Sequence, residues 1–277
     1  DLQKNYYQCD NCSTTFPMPP SERFAYMFGK NNYEILVTPT INDSGLLTWE
    51  DASGKYKDKL AKTRKRTGLN SALSVAYGKL TKNINAVIVA SEWKYFGSSI
   101  GPDEGESILY ACQKSLETGS PLILFAMGGG MRMQIPSAVS LMQMPRTVLG
   151  LSEVKKKGIP VIVVVDSVVA GGISASYAAT GDFLFFEGKK TKFMFAGPRV
   201  AANASNTEPP EDFLEGGWAM SHGHGDHMIE KRKDTKDFLI KFLNIILKKD
   251  QSSIIGEENK DNINETTKIN KETREAS

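Results

Sequence analysis

The sequence predicts an α/β fold, from three observations. Short β-branched runs with almost no charge alternate with segments of helical periodicity, the pattern of strands covered by helices. Two of these runs pass through paired glycines towards a helical segment, at 122–134 and 159–182, so one structural unit recurs. The chain has 277 residues, 40% hydrophobic and 24% charged, enough for one large core or two small ones. Net charge is +2, because 34 basic residues nearly cancel 32 acidic ones. That excludes a nucleic-acid footprint, although Lys62, Arg64, Lys65 and Arg66 cluster locally. No apolar run reaches the length of a membrane span. Cys9, Cys12 and Cys112 are too few for a disulfide framework. The opening residue is Asp1 rather than methionine, so an upstream segment is expected.

Taken in order, residues 1–34 form a small irregular module with a Cys-x-x-Cys and the prolines Pro17, Pro19 and Pro20. Residues 55–73 are polar and helical, and Gly68 stops them. Residues 86–93 are a strand. After a glycine-rich turn, Asp103 caps a helix with Glu106 three residues on, a variant of the capping box. That helix puts Ile108, Leu109, Cys112 and Leu116 on its apolar side and ends at Gly119, with Cys112 a core residue. Residues 122–126 are a buried strand, and a helix over 138–157 ends at Gly158. Another strand then leads through Gly171 and Gly172 to a helix of small residues, followed by the strands FLFFEG and KFMFAG. Asp234 caps a helix whose Phe238, Phe242, Ile245 and Ile246 form a stripe. The expected domains are a module at 1–34, a main domain at 35–250 and a low-complexity, disordered tail at 251–277.

The strand–Gly-Gly–helix units point to chemistry. The first turn of a helix has unpaired N–H groups and partial positive charge. Without a Cβ in the way, a ligand oxygen can sit against those groups, whether a developing enolate or a phosphate. Residues 128–132 lack the Gly-x4-Gly-Lys-Ser/Thr spacing of a phosphate loop and the Gly-x-Gly-x-x-Gly of a dinucleotide site. Two tight turns in an α/β fold remain the alternative reading.

Several motifs then fall into one order: YKDKLAKTRKRTG, FGSSIG, GGGMRMQ, SLMQM, VVAGGISASYAATGD and FAGPRV. Together they resemble the carboxyltransferase β subunit of multi-subunit acetyl-CoA carboxylase, over about residues 9–248. The resemblance implies a crotonase-like (ClpP/crotonase) spiral of ββα units. It implies transfer of CO2 from carboxybiotin on a carrier protein to acetyl-CoA, giving malonyl-CoA for fatty acid synthesis. Backbone N–H groups of Gly129, Gly130, Gly171 and Gly172 would stabilise the enolates. Arg132, Gln134, Gly97, Ser98, Gly101 and Arg199 would bind or support substrate, with Arg132 and Gln134 holding the loop and the subunit contact. Read from the residues alone, Arg132 and Gln134 are a solvated helix start. The implied partners are a carboxyltransferase α subunit in an α2β2 assembly, a biotin carboxyl carrier protein and biotin carboxylase. The implied location is soluble, in a plastid stroma or bacterial cytoplasm.

This sequence departs from the family pattern in places. Gly128 stands where the family has serine, and Ile135–Pro136 where it has glutamate. Pro145–Arg146 replaces Ala-Lys. A catalytically weak, structural β-like subunit is therefore one alternative. Another acyl-CoA carboxylase or decarboxylase β chain is a second. The family's zinc ribbon uses two Cys-x-x-Cys pairs, and only Cys9 and Cys12 are present, so the ribbon is a remnant. Zinc is expected only if a second pair is supplied, and the first thirty residues are expected to be loosely ordered or pinned by a partner. HGHGDH, residues 222–227, matches a metallohydrolase pattern, but the chain holds only 3 histidines and all lie within it.

Overall fold

The β-branched runs need one another's edges and helices for their faces, and the sheet supplies both. The computed structural model describes residues 2–40, 48–208 and 210–247. β1 (Tyr33–Leu36) belongs to the main sheet, whereas β2 (Glu50–Asp51) and β3 (Gly54–Lys55) form a separate pair. β4 (Leu73–Lys79), β5 (Asn85–Ser91), β6 (Leu122–Gly128), β7 (Val161–Ala170), β8 (Phe183–Glu187), β9 (Lys192–Met194) and β10 (His227–Ile229) follow. The main sheet has 8 strands in the order β1-β4-β5-β6-β7-β8-β10, with β9 off this path on β7. The β1, β4 and β5 neighbours are antiparallel, and from β5 to β10 every pairing is parallel. Parallel strands are covered on both faces, so β6 is buried at every position.

Eight helices are described. They are α1 (Pro20–Phe28), α2 (Tyr56–Thr67), α3 (Pro102–Thr118), α4 (Ser137–Leu141), α5 (Gln143–Lys156), α6 (Pro198–Ser205), α7 (Gly216–Ser221) and α8 (Thr235–Ile246). α3 crosses from β5 to β6, and α4 with α5 crosses from β6 to β7. This is the crotonase-like α/β architecture. Gly68 (φ 70°) and Gly119 (φ 64°) end α2 and α3 in the left-handed conformation, as their positions in the sequence predict. The chain forms two compact units, residues 1–236 and 237–277, and the expected boundary near residue 34 falls inside the first. In the second, Phe238 stacks on Phe242 one turn later, with centroids 6.1 Å apart. The expected tail at 251–277 lies outside the described residues.

Four local expectations change. α3 begins two residues earlier than predicted, with Gly101 as its N-cap and Pro102 in the first turn. The carboxylate that reaches back is Glu104, which accepts the Gly101 N–H at 2.9 Å, rather than Glu106. The helix predicted over 138–157 is two helices joined at Met142. Pro145 has no N–H to donate back to Leu141, so the hydrogen-bond ladder is interrupted there. The helix of small residues after Gly172 is a five-residue π-type turn, Ser174–Ala178. Ser174 Oγ donates to Met194 O (2.7 Å), and Ser176 Oγ donates to Gly172 O (2.5 Å). Such side-chain bonds to the backbone compete with a regular helix.

The fourth change concerns the N-terminus. The region read as irregular contains α1, whose Phe24, Met27 and Phe28 are buried one turn apart. Arg23 on this helix is wholly buried and grips Glu187 of β8 at 2.7 Å and Asp166 of β7 at 3.0 Å. Arg232 closes the same cluster from the other side, at 2.6 Å from Asp166 and 2.7 Å from Glu187. It also donates to the Phe16 carbonyl at 2.7 Å. The first thirty residues are thus held to the main sheet by contacts within their own chain. Burial alone would push the Glu187 carboxyl up. The charges of Arg23 and Arg232 outweigh it and hold the carboxyl below its ordinary value. Its stabilising contribution is therefore complete above the ordinary carboxylate range and is lost as pH falls through the depressed value. Arg23→Ala leaves Glu187 with less compensation and should cost about 3–5 kcal/mol. Urea unfolding at neutral pH checks this. The gap between variant and wild type should narrow as the medium is acidified.

Candidate active site

The two glycine pairs meet. β6 and β7 are neighbours in the sheet, so their C-terminal ends carry residues 128–130 and 171–172 to the same edge. A Cβ placed at Gly171 would lie 3.5 Å from Gly130 Cα and 3.6 Å from Gly129 O. A Cβ at Gly130 would lie 3.3 Å from Gly172 N. Gly171 has φ 58°, a conformation that costs other residues strain.

The backbone hydrogen bonds narrow the set of available donors. Gly129 N–H donates to Gly97 O at 3.1 Å, and Gly171 N–H donates to Met194 O at 3.0 Å. Both are therefore spent within the chain. The N–H groups of Gly130 and Gly172 make no hydrogen bond among the described residues. Two free donors thus stand side by side, and four do not. Nor does an α-helix start directly behind Gly129–Gly130, whereas the short π-type turn Ser174–Ala178 follows Gly171–Gly172. α4 begins only at Ser137, because Met131 bridges to Ile100 in an extended segment. Ile135, ahead of Pro136, is also disfavoured from helical geometry.

A strained turn forms one wall. Phe96 (φ 50°), Gly97 (φ 61°) and Ser98 (φ 53°) are consecutive left-handed residues. Such strain costs about 1–3 kcal/mol per non-glycine residue and persists where the surroundings over-determine it. The turn presses on Gly128. A Cβ there would clash with the Ser98 carbonyl and lie 2.6 Å from Ile173 Cδ1. In this chain, therefore, position 128 has no room for the serine of the family pattern. Ser98 is buried beneath the turn, and its Oγ has no partner among the described residues.

Arg132 is fully buried, neither a solvated helix start nor a subunit contact. Its guanidinium lies 2.8 Å from Glu104, and it donates to Ser99 O (2.7 Å) and Tyr56 OH (3.1 Å). It also covers the Phe96 ring at 4.8 Å. Burial pulls its pKa down, but the Glu104 charge more than offsets this and leaves it above the ordinary value. Gln134 is half-buried and makes no hydrogen bond among the described residues. Gly101 caps α3, and Arg199 lies in the first turn of α6, with its side chain outside the described residues.

Sequence reasoning missed the cleft next to Gly97. It has a volume of about 550 Å³ and is lined by Lys59, Lys62, Arg66 and Lys94 with Trp93 and Phe96. Lys62 and Lys94 have no ion pair among the described residues, whereas Lys59 is held by Asp51 at 2.6 Å. The usable signal was helical spacing. Lys59, Lys62 and Arg66 share one face of α2, whereas Arg64 points to Asp103 at 3.2 Å. The local basic cluster is thus split between an open cleft and an internal pair.

The N-terminal cysteines stand without a third metal ligand among the described residues. Cys9 is half-buried and Cys12 exposed. Among the described residues, no group of three or more His, Cys, Asp or Glu is placed to hold a metal. The histidine-rich segment is otherwise engaged. His222 stacks on Trp218 at 3.9 Å, and Asp226 accepts the Leu184 N–H at 2.7 Å. The described residues also contain no helix long and apolar enough to cross a membrane.

Residues 40–273 match the carboxyl transferase domain family. The chain belongs to that family. It is 40% identical over 259 residues to the acetyl-coenzyme A carboxylase carboxyl transferase subunit beta of Pelagibacter ubique (strain HTCC1062), covering 94% of this chain and 82% of that one. Its fold is similar to the transcarboxylase 12S core, with TM-score 0.66 at 19% identity, over 88% of this chain and 43% of that one. It is also similar to the Pseudomonas malonate decarboxylase MdcD-MdcE heterodimer, with TM-score 0.59 at 17% identity, over 81% and 85%.

The glycines should separate under mutation. Gly129→Ala places its Cβ in open space and should leave stability unchanged. Gly171→Ala forces a side chain into φ 58° and should cost about 1–2 kcal/mol. Urea titration of both variants measures the contrast.

Proposed function

We propose that this chain is the carboxyltransferase β subunit of an acetyl-CoA carboxylase, forming malonyl-CoA together with an α subunit. One observation carries the reading. Gly130 and Gly172, whose N–H groups make no hydrogen bond among the described residues, lie side by side next to a loop that lines a cationic cleft in a carboxyl transferase domain. Deprotonating the methyl group of acetyl-CoA puts negative charge on the thioester oxygen. Donors already aimed at that oxygen stabilise the charge without reorganisation. The CoA phosphates fit the cleft of Lys59, Lys62, Arg66 and Lys94, whose charges complement them. Gly97 lines that cleft and also accepts the Gly129 N–H, which links the cleft to the loop that carries Gly130. Carboxybiotin on a carrier protein supplies the CO2 and the base.

The chain carries half of the site. Met133, Leu141 and Met142, on the segment that follows Gly130, and Phe195, whose carbonyl accepts the Gly171 N–H at 3.1 Å, are exposed apolar residues. They suit a partner subunit that excludes water from the enolate. We assign that partner as the α subunit, with the biotin carboxyl carrier protein and biotin carboxylase completing a soluble bacterial-type complex. Zinc belongs to this assembly only where a second cysteine pair is supplied.

Malonyl-CoA-dependent carboxylation of free biotin tests the reading, with and without a co-expressed α subunit. Transfer should appear only with the partner. Robust transfer by the chain alone would overturn the half-site, and none in the complex would overturn the function. In the active complex, Lys62→Glu should raise KM for acetyl-CoA about 10-fold, the loss of one charge-assisted contact, with kcat nearly unchanged. Steady-state kinetics against acetyl-CoA concentration reads this directly.

A further inference from the structure

We propose that Glu104 is a positioning residue for the enolate site, setting the register between loops 97–101 and 129–132 and with it the aim of the Gly130 N–H; this rests on the function proposed above. The two loops are zipped by three backbone bonds. Gly129 N–H meets Gly97 O at 3.1 Å, Ile100 N–H meets Gly130 O at 2.9 Å, and Arg132 N–H meets Ile100 O at 2.8 Å. The middle bond fixes the plane of the peptide that follows Gly130, and the first anchors the residue before it. The Gly130 N–H lies between these anchors and is left free for a ligand.

Glu104 holds both ends of the zipper. Its carboxylate is wholly buried at the start of α3. One oxygen accepts the Gly101 N–H at 2.9 Å, fixing the end of the first loop. The other accepts the Ala72 N–H at 2.8 Å, tying the loop to the residue before β4, and receives Arg132 of the second loop at 2.8 Å. Arg132 in turn donates to the Ser99 carbonyl, 2.7 Å away in the first loop. The pair therefore clamps one loop to the other through side chains, in parallel with the backbone zipper. A buried guanidinium has no alternative partner in water, so slippage by one residue would strand a charge. The left-handed turn at 96–98 immediately precedes Ser99, which this clamp holds, and a strained loop persists where its surroundings over-determine it.

The test uses the complex of this chain with its α subunit. Glu104→Gln keeps one acceptor oxygen, places an amide NH2 where the second oxygen accepted, and loses the charge that compensates Arg132. The double variant Glu104→Gln with Arg132→Met removes the buried charge as well and should fold where the single variant is unstable. In both, kcat should fall roughly 10- to 100-fold, the effect of misplacing a reacting group by about an ångström, with KM for acetyl-CoA within about twofold. Hydrogen exchange should quicken in segments 97–101 and 129–132 and nowhere else in the sheet. Wild-type kcat in the double variant would overturn the proposal, as would a loss confined to KM or unchanged exchange in the two segments. If neither variant assembles, Glu104 is a folding residue and the proposal also fails. A wild-type complex without transfer would count against the proposed function instead, and the exchange measurement would still decide the role of Glu104.

Discussion

A guanidinium taken out of water must find an oxygen for its N–H groups and a carboxylate for its charge. Among the described residues three are buried, Arg23, Arg132 and Arg232, each fully enclosed. Each sits at a seam between segments far apart in sequence. Arg23 and Arg232 join α1, β7, β8 and the turn before α8 through Asp166 and Glu187. Arg132 joins the β6 loop to the start of α3 through Glu104. Such pairs add little net stability against a well-packed apolar alternative, but mispairing them is very costly. They therefore act mainly on geometry.

The position of Asp166 shows how this works with the sheet. β7 pairs with β8 over Ile162 to Val165 and with β9 over Val168 to Ala170. Asp166 lies between the two pairings, where the strand changes neighbours, and both buried arginines reach it there. The far end of the same strand delivers Gly171 and Gly172. The charge cluster and the glycine site thus share one strand, the first holding the segment whose end forms the second.

A site built from backbone groups makes different demands on a sequence than one built from side chains. It needs space and angle, which only glycine provides at Gly128 and Gly171, and it needs N–H groups kept from other partners. The pressure falls on neighbours. Ser98 crowds Gly128, Met194 takes the Gly171 N–H, and Arg132 is drawn inward to lock the loop. Each of these contacts shapes the backbone around the glycines.

By itself, the sequence determined what depends on neighbours along the chain. The β-branched runs became the central strands, Gly68 and Gly119 ended helices, and the glycine motifs indicated the carboxyl transferase family. Local periodicity and backbone freedom are enough for those features. Only the tertiary structure decided which N–H groups are free. Gly129 and Gly171 lose theirs to Gly97 and Met194, partners that no local pattern specifies. It also decided that Arg132 is internal, that Glu104 rather than Glu106 caps α3, and that the basic face of α2 opens a cleft beside Trp93. Each of these follows from which segments the sheet brings together, and a hydrogen bond or ion pair across such a seam leaves no periodic trace in the sequence.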